Sequence, residues 1–439
     1  MNQQQCIDYN QSIPIKYEVD VFIAGGGPAG VAAAVSAAQN GAKVFLAEGQ
    51  GCLGGMGTSG RVPVFMEFSD GVNFVAAGIG EEILNRLRQA GGAGDELGFS
   101  IKVEVLKRVY DDMFLERGVN FTFHTRLIGV IQEEGTVSHA ILAAKSGIFA
   151  VKAKAFVDCT GDGDLAAWAG APFEKGDHEG NMMPGTLCSL WSGIDWNVAD
   201  RDTTQKRMLQ KAFEDKVFTL EDPSLPGMWK VGPITGGGNI GHAFGVDGTD
   251  EVSVTKAFIE QRKRLVEYDH YFRNYLDGYK DMELMDTGSL MGIRETRRIL
   301  GDYMLMLNDF QNRTSFDDEI GRYCGPVDIH ASNPDKELHK QIKQAYLTTM
   351  RYQKGESYGI PYRCLIPKEL KNVLVAGRCI SADRSVMGSL RVMPGCFITG
   401  QAAGAAAAIM AIENKDARNV DIRTLQKTLK QMGAFLPNV

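Results

Sequence analysis

The chain has 439 residues, of which 44% are hydrophobic and 23% charged, and its formal net charge is −7. These values indicate a globular protein with room for two or three domains, and the acidic charge disfavours a nucleic-acid partner. None of the eight cysteines stands in a C-x-x-C pair, which disfavours a zinc ribbon or a dithiol redox site. The lead-in lacks a signal-peptide pattern and no uninterrupted apolar run reaches membrane-spanning length, so we expect a cytoplasmic protein without a membrane partner.

The first predicted elements are a strand, a helix and a second strand. Val19–Ala24 is an apolar run rich in β-branched residues, which is typical of a strand buried on both faces. A helix of small residues is expected to begin at Pro28 and to end at Gly41, because proline fits the first helical turn and glycine favours the end of a helix. Lys43–Ala47 is expected to form the second strand.

The turn after the first strand carries the G-x-G-x-x-G spacing in Gly25, Gly27 and Gly30. The first glycine allows a tight turn, the second lets a pyrophosphate approach the backbone, and the third lets helix and strand pack closely. Glu48 follows the second strand, where an acidic residue accepts a hydrogen bond from a ribose hydroxyl. A dinucleotide site is predicted, because the strand, the glycines, the helix, the second strand and the acid follow one another at the expected spacing. The alternative is an ordinary βα turn.

A glycine-rich stretch at 50–60 follows, and its position directly after Glu48 favours a ligand-contacting loop over a flexible surface loop. Apolar residues at helical spacing predict a helix over 102–117, and short strands are expected from 119 to 159. The last of these strands ends in Thr160-Gly161-Asp162-Gly163-Asp164. We do not interpret this turn as a second dinucleotide site, because two carboxylates would repel a diphosphate.

The middle of the chain, from about 171 to 360, differs in composition from the first part, because glycines and prolines cluster there. Gly236–Gly241 matches G-x-G-x-x-G literally but lacks a following helix of small residues, so we interpret it as a loop. A helix of about six turns is expected from Val254 onward. If the segment around them is extended, Asp328 and His330 share one face.

The last segment resembles the first in its residue pattern. Asn372–Ala376 is predicted to be a buried strand, Pro394-Gly395 to begin a helix of small residues, and 421–432 to form a final amphipathic helix. We therefore expect one sheet built from both ends of the chain and a second layer from the middle. The predicted bounds are 17–170 and 365–439 for a discontinuous nucleotide domain, 171–364 for an inserted substrate domain, and 1–16 for the lead-in.

Six motifs in order carry a family resemblance. They are AGGGPAG (24–30), LGGMGTSG (53–60), DCTGDGDLAAWAG (158–170), MGIRETRRILGDY (291–303), GIPYRCLIP (359–367) and NVLVAGRCISADRSVMGSLRVMPGCFITGQAAG (372–404). With them the chain resembles the FAD-dependent oxidoreductases of the glutathione-reductase and p-hydroxybenzoate-hydroxylase superfamily, and more narrowly a family of bacterial flavoproteins. The resemblance implies an α/β fold, with a discontinuous Rossmann-type FAD-binding domain and an inserted α+β substrate domain.

The resemblance also implies that the nucleotide is FAD. The glycine turn would hold the pyrophosphate, Glu48 the adenosine ribose, and the backbone around Leu127 the adenine. The helix that starts at Pro394 would direct its N–H groups at the pyrimidine edge of the flavin, where a helix N-terminus stabilises the charge of the reduced ring. Arg378 stands where many relatives carry an acid that binds the ribityl chain, so we do not transfer that role. The residues expected to contact FAD are Gly25, Gly27, Pro28, Ala29, Gly30, Glu48, Leu53, Gly54, Gly55, Met56, Leu127, Thr160, Gly161, Gly377, Arg378, Met387, Arg391, Pro394, Gly395 and Cys396.

The implied reaction is hydride transfer between N5 of the flavin and a small organic substrate, which we expect to be anionic. The chain has no second credible dinucleotide fingerprint and no disulfide-reductase cysteine spacing, which argues against a pyridine-nucleotide:disulfide reductase. Two alternatives stay open. One is a tRNA-modifying flavoprotein related in fold, which the acidic charge disfavours, and the other is a flavin-binding module without catalysis. No metal site is predicted.

Candidate catalytic residues lie mainly in the inserted domain. Arg294, Arg297 and Arg298 fall within one short segment. Glu295 and Asp302 can neutralise two of these arginines, which leaves about one positive charge for a ligand. We favour Arg294 as the side chain that binds a substrate carboxylate, because a guanidinium offers two parallel donors. The alternative is an ion-paired turn on the surface.

Two histidines and three further residues complete the candidates. His242 and His330 are possible acids or bases, since imidazole titrates near neutral pH, although loop histidines are often only hydrogen-bonded. Arg363 precedes the last sheet strand and is expected to face the flavin. Met387 and Arg391 lie in a predicted loop before the helix at Pro394 and are expected to shape its flavin-facing surface.

Overall fold

The computed structural model describes residues 7, 10–93, 99–199, 205–224, 227–348 and 350–439. Its strands are β1 (Ile15–Ala24), β2 (Val44–Ala47), β3 (Asn120–Thr122), β4 (Arg126–Glu133), β5 (Thr136–Ala144), β6 (Gly147–Asp158), β7 (Phe173–Lys175), β8 (Ser189–Ser192), β9 (Met228–Lys230), β10 (Gly236–Gly238), β11 (Glu283–Thr287), β12 (Arg297–Ile299), β13 (Glu319–Tyr323), β14 (Tyr358–Pro361) and β15 (Val373–Val375). Its helices are α1 (Pro28–Gln39), α2 (Ile79–Gln89), α3 (Val103–Glu116), α4 (Asp164–Trp168), α5 (Leu209–Glu214), α6 (Glu251–Tyr275), α7 (Leu307–Asn312), α8 (Lys336–Ile342), α9 (Arg384–Leu390), α10 (Met393–Glu413) and α11 (Ile422–Gln431).

Both ends of the chain contribute to one seven-stranded sheet, in the order β3-β2-β1-β6-β5-β4, with β15 also paired to β6. The pairs β1–β2, β1–β6, β2–β3 and β6–β15 are parallel, whereas β4–β5 and β5–β6 are antiparallel. Ala24 at the end of β1 lies between Ala47 of β2 and Asp158 of β6. The predicted α/β fold is confirmed. The glycine turn therefore leaves the carboxyl edge of the sheet, where α/β proteins bind ligands.

The helices α1 and α10 pack almost backbone to backbone. A Cβ at Gly400 would lie 2.2 Å from the carbonyl oxygen of Ala29, and one at Gly404 would lie 2.2 Å from that of Ala33. Larger residues would force the helices apart, which explains the small residues in both. α10 is long and apolar enough to cross a membrane, yet 94% of its apolar window is buried inside the protein, and a core helix has the same composition.

A second hydrophobic core lies between Leu187 and Met291, around α6 and the four-stranded sheet β11-β8-β10-β9. The prediction of a loop at Gly236–Gly241 is wrong for its first half, because β10 occupies 236–238 and pairs with both β8 and β9. A Cβ at Gly237 would lie only 2.3 Å from Cβ of Pro63. The bare glycine backbone thus lets this strand press against the segment that follows the glycine-rich loop.

This second core is smaller than the predicted inserted domain. Buried residues from Ile299 to Ile366 belong to the first core instead. There β13 pairs with β14 and lies against α10, where a Cβ at Gly321 would come within 2.4 Å of Ile398. The change in composition that placed the predicted boundary at residue 364 therefore does not coincide with the boundary between the two hydrophobic cores. The domain bounds stay a prediction.

Candidate active site

The three glycines of the turn after β1 have three different surroundings. Gly25 has a φ of +89°, and a Cβ there would lie 2.7 Å from the carbonyl oxygen of Cys159. A Cβ at Gly30 would lie 1.9 Å from the carbonyl oxygen of Gly25, so helix and strand touch there. A Cβ at Gly27 would meet no atom of the described residues within 4 Å. The turn is therefore closed at its first and third glycines and open at its second.

Open space at Gly27 coincides with the start of α1. Among the described residues no side chain caps this helix, whose first turn contains Pro28, Ala29 and Gly30. Uncapped N–H groups at a helix N-terminus attract anions, and a diphosphate is such an anion. The local geometry thus fits a pyrophosphate beside Gly27.

Glu48 binds the same turn from the end of β2. Its Oε2 accepts the N–H of Gly26 at 2.7 Å, and its Oε1 accepts the N–H of Gln50 at 2.6 Å. The side chain is buried, and burial raises the pKa of its carboxyl above the usual value. Each carboxylate oxygen has a second lone pair, so Glu48 can still accept a bond from a ribose hydroxyl.

Two neighbouring segments close around the turn. Gly54 donates its N–H to the carbonyl oxygen of Gly26 at 2.8 Å, and a Cβ at Gly55 would lie 3.0 Å from Cα of Gly27. These contacts support the ligand interpretation of the glycine-rich loop, which includes Leu53 and Met56. On the other side Thr125 donates to the carbonyl oxygen of Glu48 at 2.9 Å, which brings the start of β4, with Leu127, beside the acid.

The start of α10 meets the start of α1 at Gly377. A Cβ at Gly377 would lie 3.0 Å from Cβ of Ala29 and 3.6 Å from Sγ of Cys396. In the part of the chain that the structure describes, no side chain caps α10, which begins with Met393, Pro394 and Gly395. Two uncapped helix N-termini, from opposite ends of the chain, therefore open toward the same region, as a cofactor with a diphosphate and a flavin requires.

The turn after β6 adds an ion pair to this region. Arg378 donates to Oδ1 of Asp162 at 2.8 Å, and a Cβ at Gly161 would lie 2.9 Å from Nη2 of Arg378. The carboxylate of Asp158 accepts the N–H of Thr160 at 3.0 Å, and burial raises its pKa to about 6. Arg378 thus neutralises the negative charge of Asp162, which would otherwise repel a negatively charged cofactor.

Arg294 lies beside Met291 and Ile293, which pack in the second core. It is 7% exposed, and its Nη1 donates to Pro184 O at 2.7 Å and to Thr186 Oγ1 at 2.9 Å. Its Nη2 donates to Asn239 Oδ1 at 3.4 Å. Burial, and then repulsion by Arg391, lower its pKa to about 10, so it is charged at neutral pH. Within the described ranges no carboxylate forms an ion pair with Arg294.

The other arginines of this segment are neutralised. Arg298 pairs with Glu295 at 2.7 Å, and Arg297 pairs with Asp164 at 2.7 Å. The expectation that Asp302 neutralises one of the trio is wrong, because Asp302 pairs with Arg418 at 2.8 Å. The charge count predicted that one of the three arginines would have no carboxylate partner, and among the described residues one does not. That arginine is Arg294, the one favoured from the sequence.

His242 and His330 lie in contact. Nε2 of His242 is 3.0 Å from Nδ1 of His330. Nδ1 of His242 is 2.9 Å from Oδ2 of Asp222, at an angle too bent for a regular hydrogen bond. Nε2 of His330 is 3.2 Å from Oδ1 of Asp328, whose Oδ2 accepts from Arg391 at 2.7 Å. Burial lowers the pKa of both imidazoles, that of His330 to about 3 with further repulsion from Arg294.

Arg363 has other partners among the described residues. Its Nε donates to Asp318 at 2.9 Å, its guanidinium covers the ring of Tyr303, and its side chain is 48% exposed. Met387 and Arg391 do not lie in a loop as predicted. They belong to the helix α9 and its C-terminal cap, because Asp383 caps the start of that helix through the N–H of Val386.

One member of the cluster had no sequence signal. Asp222 is buried and contacts His242, yet it stands alone in a proline-rich stretch with no motif around it. The sequence indicates Asp328 only as a residue that shares one face with His330. Asp222 and His242 share no motif, and Arg391, which donates to Asp328, lies 63 residues away in the sequence, so neither composition nor spacing could indicate these two contacts.

Comparison with known proteins gives a family and weak structural likenesses. A model of the FAD dependent oxidoreductase family matches residues 20–429. A geranylgeranyl bacteriochlorophyll reductase-like protein from Thermoplasma acidophilum is similar at 14% identity, over 95% of this chain and 84% of that chain, with a TM-score of 0.48. The p-nitrophenol 4-monooxygenase PnpA from Pseudomonas putida DLL-E4 is similar at 11% identity, over 95% and 88% of the two chains, with a TM-score of 0.46. The myxobacterial chondrochloren halogenase CndH is similar at 10% identity, over 94% and 79%, with a TM-score of 0.43.

The comparison with curated proteins found no match. The family match covers nearly the whole chain, including both segments that build the seven-stranded sheet, and it agrees with a turn, an acid and two helix N-termini that fit FAD. The chain therefore belongs to the FAD-dependent oxidoreductase family, and its cofactor is FAD.

Proposed function

We propose that this enzyme transfers a hydride between the flavin and a small organic substrate that carries a carboxylate or a similar anion. FAD supplies the hydride chemistry at N5 when it is bound. The residues of the chain bind and orient the substrate and hold its proton. Arg294 is the proposed anchor for the anion.

The single observation that supports this proposal is the environment of Arg294. A guanidinium carries five N–H donors, and its contacts to described residues are three, all to neutral acceptors. A buried cation without an ion-pair partner is unfavourable, so an anion that completes its hydrogen bonds is strongly attracted. Arg391, which lies two residues before Met393 at the start of α10, is close enough to lower the pKa of Arg294.

His330 is the proposed group that exchanges a proton with the substrate. Its side chain is 16% exposed, whereas that of His242 is fully buried, so His330 is the accessible member of the pair. It is neutral at physiological pH, which a general base requires. We also propose that the enzyme acts in the cytoplasm, without a nucleic-acid or membrane partner.

Anaerobic mixing of the FAD-loaded protein with small metabolites tests the proposal. We expect hydroxy or amino acids to bleach the flavin absorbance, or, for the reverse direction, unsaturated or oxo acids to reoxidise photoreduced flavin. The methyl ester or amide of an active acid is the matched control, and it should react at least about tenfold more slowly because it cannot pair with Arg294. Equal rates for acid and ester contradict the proposed anion.

NADH and NADPH provide a second arm of the same experiment. The chain carries one credible dinucleotide fingerprint, and we assign it to FAD. We therefore expect slow reduction of the flavin by either nucleotide. Rapid bleaching, at many turnovers per second, would contradict this expectation.

A further inference from the structure

The side chain of Arg126, at the start of β4, lies over the loop that follows Glu48. A Cβ at Gly49 would lie 3.4 Å from Cγ of Arg126 and 3.8 Å from its Nε. Thr125, the residue before Arg126, is buried and donates its N–H to the carbonyl oxygen of Glu48 at 2.9 Å. The stem of Arg126 therefore rests on the backbone of Gly49, directly beside the acid.

The guanidinium of Arg126 has donors available for a ligand. The residue is exposed, and within the described ranges no hydrogen-bond acceptor and no carboxylate at ion-pair distance contacts its guanidinium. Burial raises the pKa of Glu48, and the charge of Arg126 is close enough to oppose this rise. Both oxygens of Glu48 nevertheless accept backbone N–H groups instead, from Gly26 at 2.7 Å and from Gln50 at 2.6 Å.

Gly49 is not a glycine for a conformational reason, since its φ lies outside the positive region. A Cβ there would just touch the stem of Arg126, and a longer side chain would displace it. The bare backbone at this position thus keeps the arginine close to Glu48.

The covalent structure of FAD indicates the side on which its adenine lies. The ribose of the adenosine carries the phosphate through C5′ and the base at C1′, on opposite sides of the sugar ring. Glu48 lies between the open glycine turn and Gln50, because its two oxygens accept N–H groups from both. With the pyrophosphate beside Gly27 and a ribose hydroxyl on Glu48, the base is expected to extend toward Gly49 and Arg126.

We propose that Arg126 binds the adenine of FAD by stacking its guanidinium on a face of the base. A guanidinium is planar, always charged and weakly hydrated, and it stacks on aromatic rings and on nucleotide bases. FMN ends at its phosphate and has no adenine, so this contact gives the chain a means to select FAD over FMN. The proposal concerns the cofactor alone and does not depend on the proposed substrate.

The alternative is a solvated arginine whose charge attracts the pyrophosphate from a distance. Such attraction depends on charge and weakens as the salt concentration rises, because ions screen exposed charges. Stacking depends on the planar group, which lysine does not have. A lysine substitution and a change of salt therefore separate the two interpretations.

Release of FAD from the holoenzyme on dilution, followed by flavin fluorescence, measures the dissociation constant of FAD. We expect Arg126→Ala to raise it about three- to thirtyfold, the range for a stacked cation from exposed to desolvated contacts. Arg126→Gln should give a similar loss, and it keeps the test available if the alanine variant does not fold. Arg262→Ala is the matched control, because it removes one exposed arginine of α6, over the ring of Phe258 in the second core. This control should retain the dissociation constant of the wild type.

Arg126→Lys at low and high salt is the second arm. We expect lysine to recover only part of the lost affinity, and the ratio between Arg126→Ala and the wild type to persist at high salt. Full recovery by lysine, or a ratio that falls to one at high salt, would show attraction by charge alone and overturn the stacking. A dissociation constant that is unchanged in both Arg126→Ala and Arg126→Gln overturns the proposal as a whole.

ADP assigns the effect to the adenosine, because it carries the base and the diphosphate but no flavin. Added in excess to the holoenzyme it competes with FAD, and flavin fluorescence reports the FAD that is released. We expect the inhibition constant of ADP to rise in Arg126→Ala by the same factor as the dissociation constant of FAD, and that of inorganic pyrophosphate to stay unchanged. An unchanged constant for ADP, or an equal rise for pyrophosphate, overturns the proposal. No substrate enters these measurements, so their failure would leave the proposed role of Arg294 intact.

Discussion

The two halves of the candidate site use different parts of the polypeptide, one mainly the backbone and the other mainly side chains. The cofactor half consists largely of backbone: an open position at Gly27, a close contact at Gly30, and two uncapped helix N-termini. The substrate half consists of side chains, with Arg294 and the histidine pair held by loops from distant parts of the sequence. A backbone site needs small residues at fixed spacing, whereas a side-chain site needs only that the fold bring suitable groups together. Mutations should therefore act differently in the two halves.

The largest effect is expected at Gly30. Its Cβ would lie 1.9 Å from the carbonyl oxygen of Gly25, so Gly30→Ala forces α1 away from β1. We expect a loss of stability above about 4 kcal/mol, within the range of severe core changes, and loss of FAD. Thermal unfolding of the apoprotein and the absorbance of the purified protein measure both.

Gly27→Ala is the matched control within the same turn. Gly27 has a φ of −66° and open space at its Cβ, so alanine fits the empty turn. We expect an unchanged Tm of the apoprotein but weaker FAD binding, because the methyl group occupies the space of the pyrophosphate. A fall in Tm as large as that of Gly30→Ala would show that the glycines serve the fold alone.

Glu48→Ala should have the next largest effect. It removes the acceptor for the ribose and leaves the N–H groups of Gly26 and Gln50 without their present partner. A lost hydrogen bond to a charged group costs about 1.5–3 kcal/mol, so FAD should bind roughly ten- to hundredfold more weakly. Release of FAD on dilution, followed by flavin fluorescence, measures this. Full retention of FAD by the variant would contradict the assigned role.

The contrast between the two halves also explains what could be predicted from the sequence. The glycine turn, Glu48 and the helix at Pro394 are local patterns whose physical requirements are visible in a few consecutive residues. Arg294 could be singled out by counting charges in one segment, although the partner assumed for one of its neighbours, Asp302, was wrong. The contact between Asp222 and His242 joins residues with no shared pattern, and β10 is a strand without side chains, so neither follows from periodicity.

Arg294→Lys compares shape with charge in the substrate half. Lysine keeps the positive charge but loses the planar pair of donors, so we expect KM for an active acid to rise about tenfold. Arg297→Lys in the same segment is the control and should change KM little, since its partner is Asp164. If Arg294→Lys lowers Tm but leaves KM and kcat unchanged, Arg294 belongs to the scaffold.

The smallest effect is expected at Arg363, the candidate whose charge is already paired with a carboxylate. Its guanidinium is half exposed, paired with Asp318 and stacked on Tyr303. Exposed ion pairs contribute at most about 1 kcal/mol, because water and salt screen them. Arg363→Gln should therefore lower Tm slightly and leave kcat and KM for an active acid within about twofold. Asp318→Asn removes the same ion pair from the other side and should lower Tm by a similar amount. A fall in kcat for Arg363→Gln but not for Asp318→Asn would mean that the guanidinium itself reaches the reacting groups during turnover, and Arg363 would then join Arg294 in the substrate half.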